Sequence, residues 1–239
     1  MRTAAGPGPR TADLGGAHGI GAAIAARLAR ESWHVVVADI DPRGGAPTEG
    51  RYAVCDVADE AAVNALLAGV AAQEGRLHAL VCNAGVNVRK PIRELSLAEW
   101  SRVIGTNLTS TFLLARASER LLRSSQGAVV TIASTRAHMS EAHTEAYAAS
   151  KGGLVALTHA LSISLSPEVR VNCISPGWIF TKGDPPRSED HAFHPAGRVG
   201  TPEDIAALTA FLVGHDSGFI TGSEFIVDGG VTRKMIYPE

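Results

Sequence analysis

From residue 19 onward, short apolar runs alternate with longer stretches of helical periodicity, and this alternation leaves few folds open. The runs 34–38, 52–57, 79–82, 128–133, 170–174 and 224–227 are apolar or β-branched and bounded by turn or helix signals, and read as strands. Helical patterns over 20–30, 60–73, 97–122, 145–165 and 202–212 lie between them. The last opens on Thr201-Pro202-Glu203-Asp204, an N-cap followed by proline at the first helical position and acids in the first turn. Strand and helix in alternation imply βαβ units on a parallel sheet, an α/β fold. At 239 residues the chain suits one large domain with a well-filled core and is short for two.

Charged residues make up 19% of the chain and the formal net charge is −2, so there is no basic field for nucleic acid or an anionic membrane. Small molecules are the expected partners. Cys55, Cys82 and Cys173 each sit in apolar, strand-like context with no CxxC spacing, which reads as a reduced, cytoplasmic protein. No apolar run approaches the roughly eighteen residues of a spanning helix, and the N-terminus lacks the apolar core of a signal peptide.

In Tyr147-Ala148-Ala149-Ser150-Lys151 a phenol and an ammonium four positions apart share one helix face. Bringing a tyrosine from about pH 10 to about 7 takes roughly 4 kcal/mol. One unscreened cation about 4 Å away supplies that at an effective dielectric of about 20, so the pair can work as an acid near neutrality. Ser134, at the end of the apolar run 128–133, offers a hydroxyl for a substrate oxygen. Upstream, Gly15-Gly16-Ala17-His18-Gly19-Ile20-Gly21 precedes an amphipathic helix, where backbone amides and the helix N-terminus can approach a pyrophosphate. Eighteen residues after Gly21, the strand 34–38 ends in Asp39, whose carboxylate can accept from adenosine ribose hydroxyls and would repel a phosphate. Ile40 follows where an arginine would favour NADP, so the site reads as NAD-preferring.

With the glycine loop, Asn83-Ala84-Gly85, Asn107, Ser134, Tyr147 and Lys151 in this order, the chain resembles the short-chain dehydrogenase/reductase family. Asn172-x-Ile174-x-Pro176-Gly177-x-Ile179-x-Thr181 and the closing Ile220-Thr221-Gly222 and Asp228-Gly229-Gly230 extend the likeness over nearly everything after residue 14. The resemblance implies a Rossmann-type, doubly wound sheet of seven parallel strands in a three-layer α/β/α domain, assembled as a homotetramer or homodimer through the helices carrying Asn107 and Tyr147. It implies that Gly15, His18, Gly19, Ile20 and Gly21 hold the cofactor phosphates, Asp39 and Ile40 its ribose, and Asp56 and Val57 its adenine. Asn83, Ala84 and Gly85 would line the cleft, and Pro176, Gly177, Ile179 and Thr181 would hold the carboxamide. Tyr147 would act as general acid/base, Lys151 would lower its pKa and bind the nicotinamide ribose, Ser134 would hold the substrate oxygen, and Asn107 would keep a water behind the lysine. The activity implied is NAD-dependent hydride transfer to or from a small polar secondary alcohol or ketone such as a sugar, polyol or hydroxy acid.

The chain departs from that pattern in three places. The family's first strand is apolar and ends in threonine, whereas Arg10-Thr11-Ala12-Asp13-Leu14 follows Gly6, Pro7, Gly8 and Pro9, so 1–9 should be irregular and 10–14 at best a short, poorly filled central strand. The link 41–50 is too rich in Pro and Gly for a helix and should be a loop. Only thirteen residues, 182–194, separate Thr181 from Pro195, a short polar lid suited to a small substrate. Arg89 and Arg136 would sit at the substrate end, where a guanidinium suits a carboxylate, phosphate or vicinal hydroxyls, or else pair with Glu141 or Glu145 at the rim. His143, with His138, His191 and His194, reads as pocket lining or exposed loop, because their spacings match no standard metal site. Two alternatives stand beside the leading activity: a cofactor-sensing or weakly catalytic scaffold of the same fold, and reduction of 3-oxoacyl thioesters.

Overall fold

The computed structural model describes residues 10–14, 16–47 and 50–235. The expected irregular segment 1–9 and the predicted phosphate-loop residue Gly15 lie outside the described residues. Seven strands form one sheet in the order β3-β2-β1-β4-β5-β6-β7, every pair parallel. The strands are β1 (Arg10–Leu14), β2 (His34–Asp39), β3 (Arg51–Val54), β4 (Ala79–Cys82), β5 (Ala128–Ile132), β6 (Arg170–Pro176) and β7 (Glu224–Val227). The helices are α1 (Gly19–Arg30), α2 (Glu60–Gln73), α3 (Leu97–Ile104), α4 (Ser110–Ser124), α5 (Glu145–Ser164), α6 (Ser188–Phe193) and α7 (Pro202–Val213).

The alternation of side chains along each strand divides the interior into two cores. On β2, Val36 and Ala38 face Val63, Leu67 and Val70 of α2 and Leu113 and Leu114 of α4. Val35 and Val37 face the opposite way, onto Ile24 and Leu28 of α1 and Ile205 and Leu212 of α7. Both sets are buried, and each Val, Leu or Ile among them contributes about 1.5–3 kcal/mol on leaving water. This is the double covering that a parallel sheet requires.

β1 occupies the centre: Arg10 pairs with His34 and Leu14 with Ala38 on one side, and Thr11 pairs with Ala79 and Leu14 with Cys82 on the other. The segment read from sequence as a degraded strand thus runs five residues with a ladder on both edges. The expected helix 97–122 is not continuous. A π-helical turn, Gly105–Thr109, separates α3 from α4, because the Asn107 side chain is turned aside to bond the chain after β4. The expected strand 52–57 stops at Val54: the Asp56 carboxylate then takes the Ala58 amide, and Asp59 caps α2 through the Ala61 amide. Described residues of 41–50 contain no helix, and the lid expected as a polar loop carries the six-residue α6.

Candidate active site

The order of the sheet reverses between β1 and β4, and the cleft above the carboxyl ends of the strands opens there. One cavity of about 840 Å³ is lined by His18, Asp39, Ile40, Asp56, Val57, Asn83, Ala84, Gly85 and Val86. Asp39 ends β2, and its carboxylate accepts from the Ala17 and Asp41 amides, both at 3.1 Å, which ties it to the glycine loop. Arg43, the arginine nearest to it in sequence, is held by Asp41 through two bonds of 3.0 Å. His18 precedes α1, exposed, with Nε2 3.4 Å from an Asp41 oxygen. Gly19 has φ +53°, and a Cβ there would lie 3.2 Å from Thr181 Cγ2, so the loop before α1 touches the segment after β6.

A second cavity of about 490 Å³ shares Asn83, Gly85 and Val86 with the first, so the two form one trough. Ile20, Ser134, Arg136, Tyr147, Lys151, Pro176, Gly177, Ile179 and Thr181 line it. Lys151 is buried, and its Nζ donates to the Ile132 carbonyl at 2.8 Å and sits 5.5 Å from the Tyr147 ring centre. Burial pulls its pKa from 10.5 to about 8. Burial also pushes the Tyr147 phenol above 10.0, against a hydrogen bond with Ser134 and the charge of Arg136, both of which pull it down. The expectation that the lysine simply lowers the tyrosine is corrected here: desolvation acts on both groups, and the ammonium spends a bond on Ile132.

Asn107 Oδ1 accepts from the Val86 amide at 2.7 Å, and its Nδ2 donates to the Val86 carbonyl at 2.9 Å and to Ser150 Oγ at 3.0 Å. Ser150 Oγ donates to the Tyr147 carbonyl at 2.7 Å. Both amide hydrogens of Asn107 are committed, so its side chain clamps the β4 loop to the helix bearing Tyr147 and Lys151. A Cβ at Gly85 would lie 3.6 Å from Lys151 Nζ and 3.7 Å from Asn107 Oδ1, so the backbone passes close to both.

Beyond Ser134 and Arg136 the trough continues into a cavity of about 710 Å³, whose walls include His138, Met139, Glu141, Trp178, Phe193, His194, Asp228 and Lys234. Of the predicted substrate residues, Arg136 lines both this cavity and the one holding Tyr147. Arg89 and His143 line neither. Arg89 is exposed and bonds Glu141 at 2.8 Å, while His143 is an exposed turn residue with φ +70° whose carbonyl takes the Lys90 amide. Both arginines pair with Glu141, the rim arrangement weighed from sequence. The four histidines do not converge: His138 bonds Glu224 at 2.7 Å, His191 accepts from the Val199 amide, and His194 Nδ1 meets the Asp190 carbonyl. Among the described residues no group of three metal-ligating side chains comes together. Sequence reasoning missed Trp178, Phe193 and Lys234, whereas His138 and His194 line the cavity as weighed from sequence. Trp178 could have been found inside Pro176-Gly177-x-Ile179, whereas Lys234 reaches the site only because Asp228 accepts the Gly230 and Thr232 amides and turns the chain back.

This fold and site define a nicotinamide-dependent oxidoreductase, and comparison with known proteins agrees. Residues 15–232 match the family model described as enoyl-(acyl carrier protein) reductase. An uncharacterized oxidoreductase of Thermotoga maritima is 46% identical over 94% of this chain and 96% of its own length. D-threitol dehydrogenase of Mycolicibacterium smegmatis is 37% identical over 92% of this chain and 91% of its own. The structure of aldohexose dehydrogenase from Thermoplasma acidophilum superposes with a TM-score of 0.90 at 29% identity, covering 97% of each chain. The chain belongs to the short-chain dehydrogenase/reductase family, whose members act on CH–OH groups with NAD or NADP.

Proposed function

We propose that this protein is an NAD-preferring dehydrogenase or ketoreductase of small polar secondary alcohols, with polyols and sugars foremost. The observation that carries the reading is the continuous trough that runs from Asp39 and Asp56 to Ser134, Tyr147 and Lys151. Its dimensions and donor set fit a dinucleotide: an anchored carboxylate for ribose hydroxyls at one end, and apolar walls from Val57, Ile179 and Pro176. When bound, the nicotinamide supplies the hydride acceptor or donor. Ser134 orients the substrate oxygen, Tyr147 moves the proton at that oxygen, and Lys151 keeps a positive charge beside it. Asp39, with Arg43 held away on Asp41, favours a free ribose over a phosphate.

The short lid and the names of two relatives, a threitol and an aldohexose dehydrogenase, support small polyhydroxy substrates over long acyl chains. Phe112 on α4 and Ile163 on α5, both exposed, support assembly of a homodimer or homotetramer through those helices. The test is a fluorescence titration with NADH followed by turnover on polyols, aldoses, hydroxy acids and a 3-oxoacyl thioester. Binding of NADH with fastest turnover among the polyols or sugars is expected. Binding of NADH without turnover would leave the cofactor-sensing or scaffold reading, neither binding nor turnover would defeat the enzyme reading, and a preference for the thioester would replace the substrate class.

A further inference from the structure

The turn after Ser134 carries an ion-pair cluster that proton and hydride transfer do not need. Glu141 gives one carboxylate oxygen to the Arg136 guanidinium and the other to Arg89 Nη1 at 2.8 Å. Its own carbonyl accepts from the Thr144 hydroxyl at 2.7 Å, which fixes the turn. Arg136 is the member closest to the chemistry. Its amide donates to Ser134 Oγ at 3.2 Å, and its side chain lines both the Tyr147 cavity and the larger one beyond. Glu141 lines the larger cavity beside it.

Resting on the reading above, we propose that Glu141 is a specificity-determining residue. Paired with Arg136 at the mouth of the site, it selects substrates that carry neutral hydroxyls next to the reacting carbon over those that carry a carboxylate or phosphate. A hydroxyl both donates and accepts, so a polyol can accept from Arg136 and donate to Glu141 at once. A carboxylate only accepts. Where Arg136 faces the cavity its guanidinium is already bonded to Glu141, and Arg89, the other partner of Glu141, lines neither cavity, so a substrate carboxylate would have to settle beside a second carboxylate, which like-charge repulsion disfavours. The other titratable groups of this cavity have partners in the fold: Asp228 in the Gly230 and Thr232 amides, His138 in Glu224, His194 Nδ1 in the Asp190 carbonyl, and Lys234 in the Phe193 ring and carbonyl. That leaves the Arg136 and Glu141 pair as the charged set beside Ser134 in this cavity.

Glu141→Gln keeps the shape and one acceptor while removing the charge, which leaves Arg136 and Arg89 both cationic. The experiment measures kcat and KM for threitol and for threonate, the acid of the same length, in wild-type and Glu141→Gln enzyme. Both compounds are also run as inhibitors of whichever alcohol turns over fastest. Wild type should favour the neutral compound, and the variant should shift the threonate-to-threitol ratio of kcat/KM, or of inhibition constants, toward the acid by about fivefold or more, mainly through KM. Arg136→Gln, a second variant in case the first folds poorly, should weaken both compounds and the acid at least as much. A wild-type preference for threonate, or a ratio unmoved within about twofold in Glu141→Gln enzyme of normal melting temperature, would overturn the proposal while leaving the dehydrogenase reading intact. Absence of turnover on every alcohol would instead defeat that reading.

Discussion

At Lys151 catalysis and stability pull in opposite directions. The ammonium is buried, and the drop from 10.5 to about 8 means that holding its charge at neutral pH costs the fold roughly 3 kcal/mol. Between those two values the unfolded chain binds more protons than the folded one, so stability rises with pH across that window and the full cost is present below about 8. Lys151→Met, which keeps the stem and drops the charge, should therefore raise the melting temperature at pH 7 despite losing the bond to Ile132, and should abolish turnover. A lower melting temperature would show that the bond outweighs the charge. Tyr147→Phe keeps the ring and removes the proton, so kcat should fall about 100-fold or more while NADH affinity stays nearly unchanged. At the other end of the trough, Asp39→Ala with Ile40→Arg should turn cofactor preference toward NADP by replacing repulsion with a phosphate-binding fork. Wild-type enzyme that uses NADPH better than NADH would overturn that assignment.

Among elements, the end of β6 and the end of β7 are held against each other at Gly177. The Gly177 amide donates to the Val227 carbonyl at 2.9 Å, and a Cβ at Gly177 would lie 2.6 Å from Asp228 Cβ and 2.8 Å from its Cα. The obstacle is backbone, which cannot rotate away as a side-chain tip could. Gly177→Ala should force the two strand ends apart, cost about 1–3 kcal/mol, and lower the melting temperature by several degrees. Because Pro176, Ile179 and Thr181 line the Tyr147 cavity from the same segment, KM for the nicotinamide cofactor should rise along with it. Calorimetry with a cofactor titration checks both, and an unchanged melting temperature would show that β7 can yield. The π-helical turn at Gly105–Thr109 serves a similar joining purpose, letting Asn107 reach Val86 and Ser150 at once.

For the molecule as a whole, the decisive position is the centre of the sheet. β1 lies between β2 and β4, whose residues Val35, Val36, Val37, Leu80 and Val81 are fully buried, yet its sequence Arg10-Thr11-Ala12-Asp13-Leu14 has little apolar content to offer such a place. Replacing residues 10–14 with an apolar run ending in threonine should raise the melting temperature and tighten NADH binding; no change in either would mean that the native segment already serves as well. The position of this strand is defined by its ladders to β2 and β4, which any backbone with free amides and carbonyls can join. The sequence alone determined what repeats or recurs at short range. The apolar alternation specified six of the seven strands and the helices that cover them, and the meeting of Ser134, Tyr147 and Lys151 at one cavity was legible because an i,i+4 pair and a strand end fix side-chain direction locally. Tertiary structure alone decided the rest. Burial reversed the simple electrostatics of the Tyr147 and Lys151 pair, the folded turn joined Arg89 and Arg136 on Glu141, and the returning C-terminal chain brought Lys234 over Phe193. Desolvation and long-range contact depend on what the rest of the chain places nearby, and no local window of sequence contains that information.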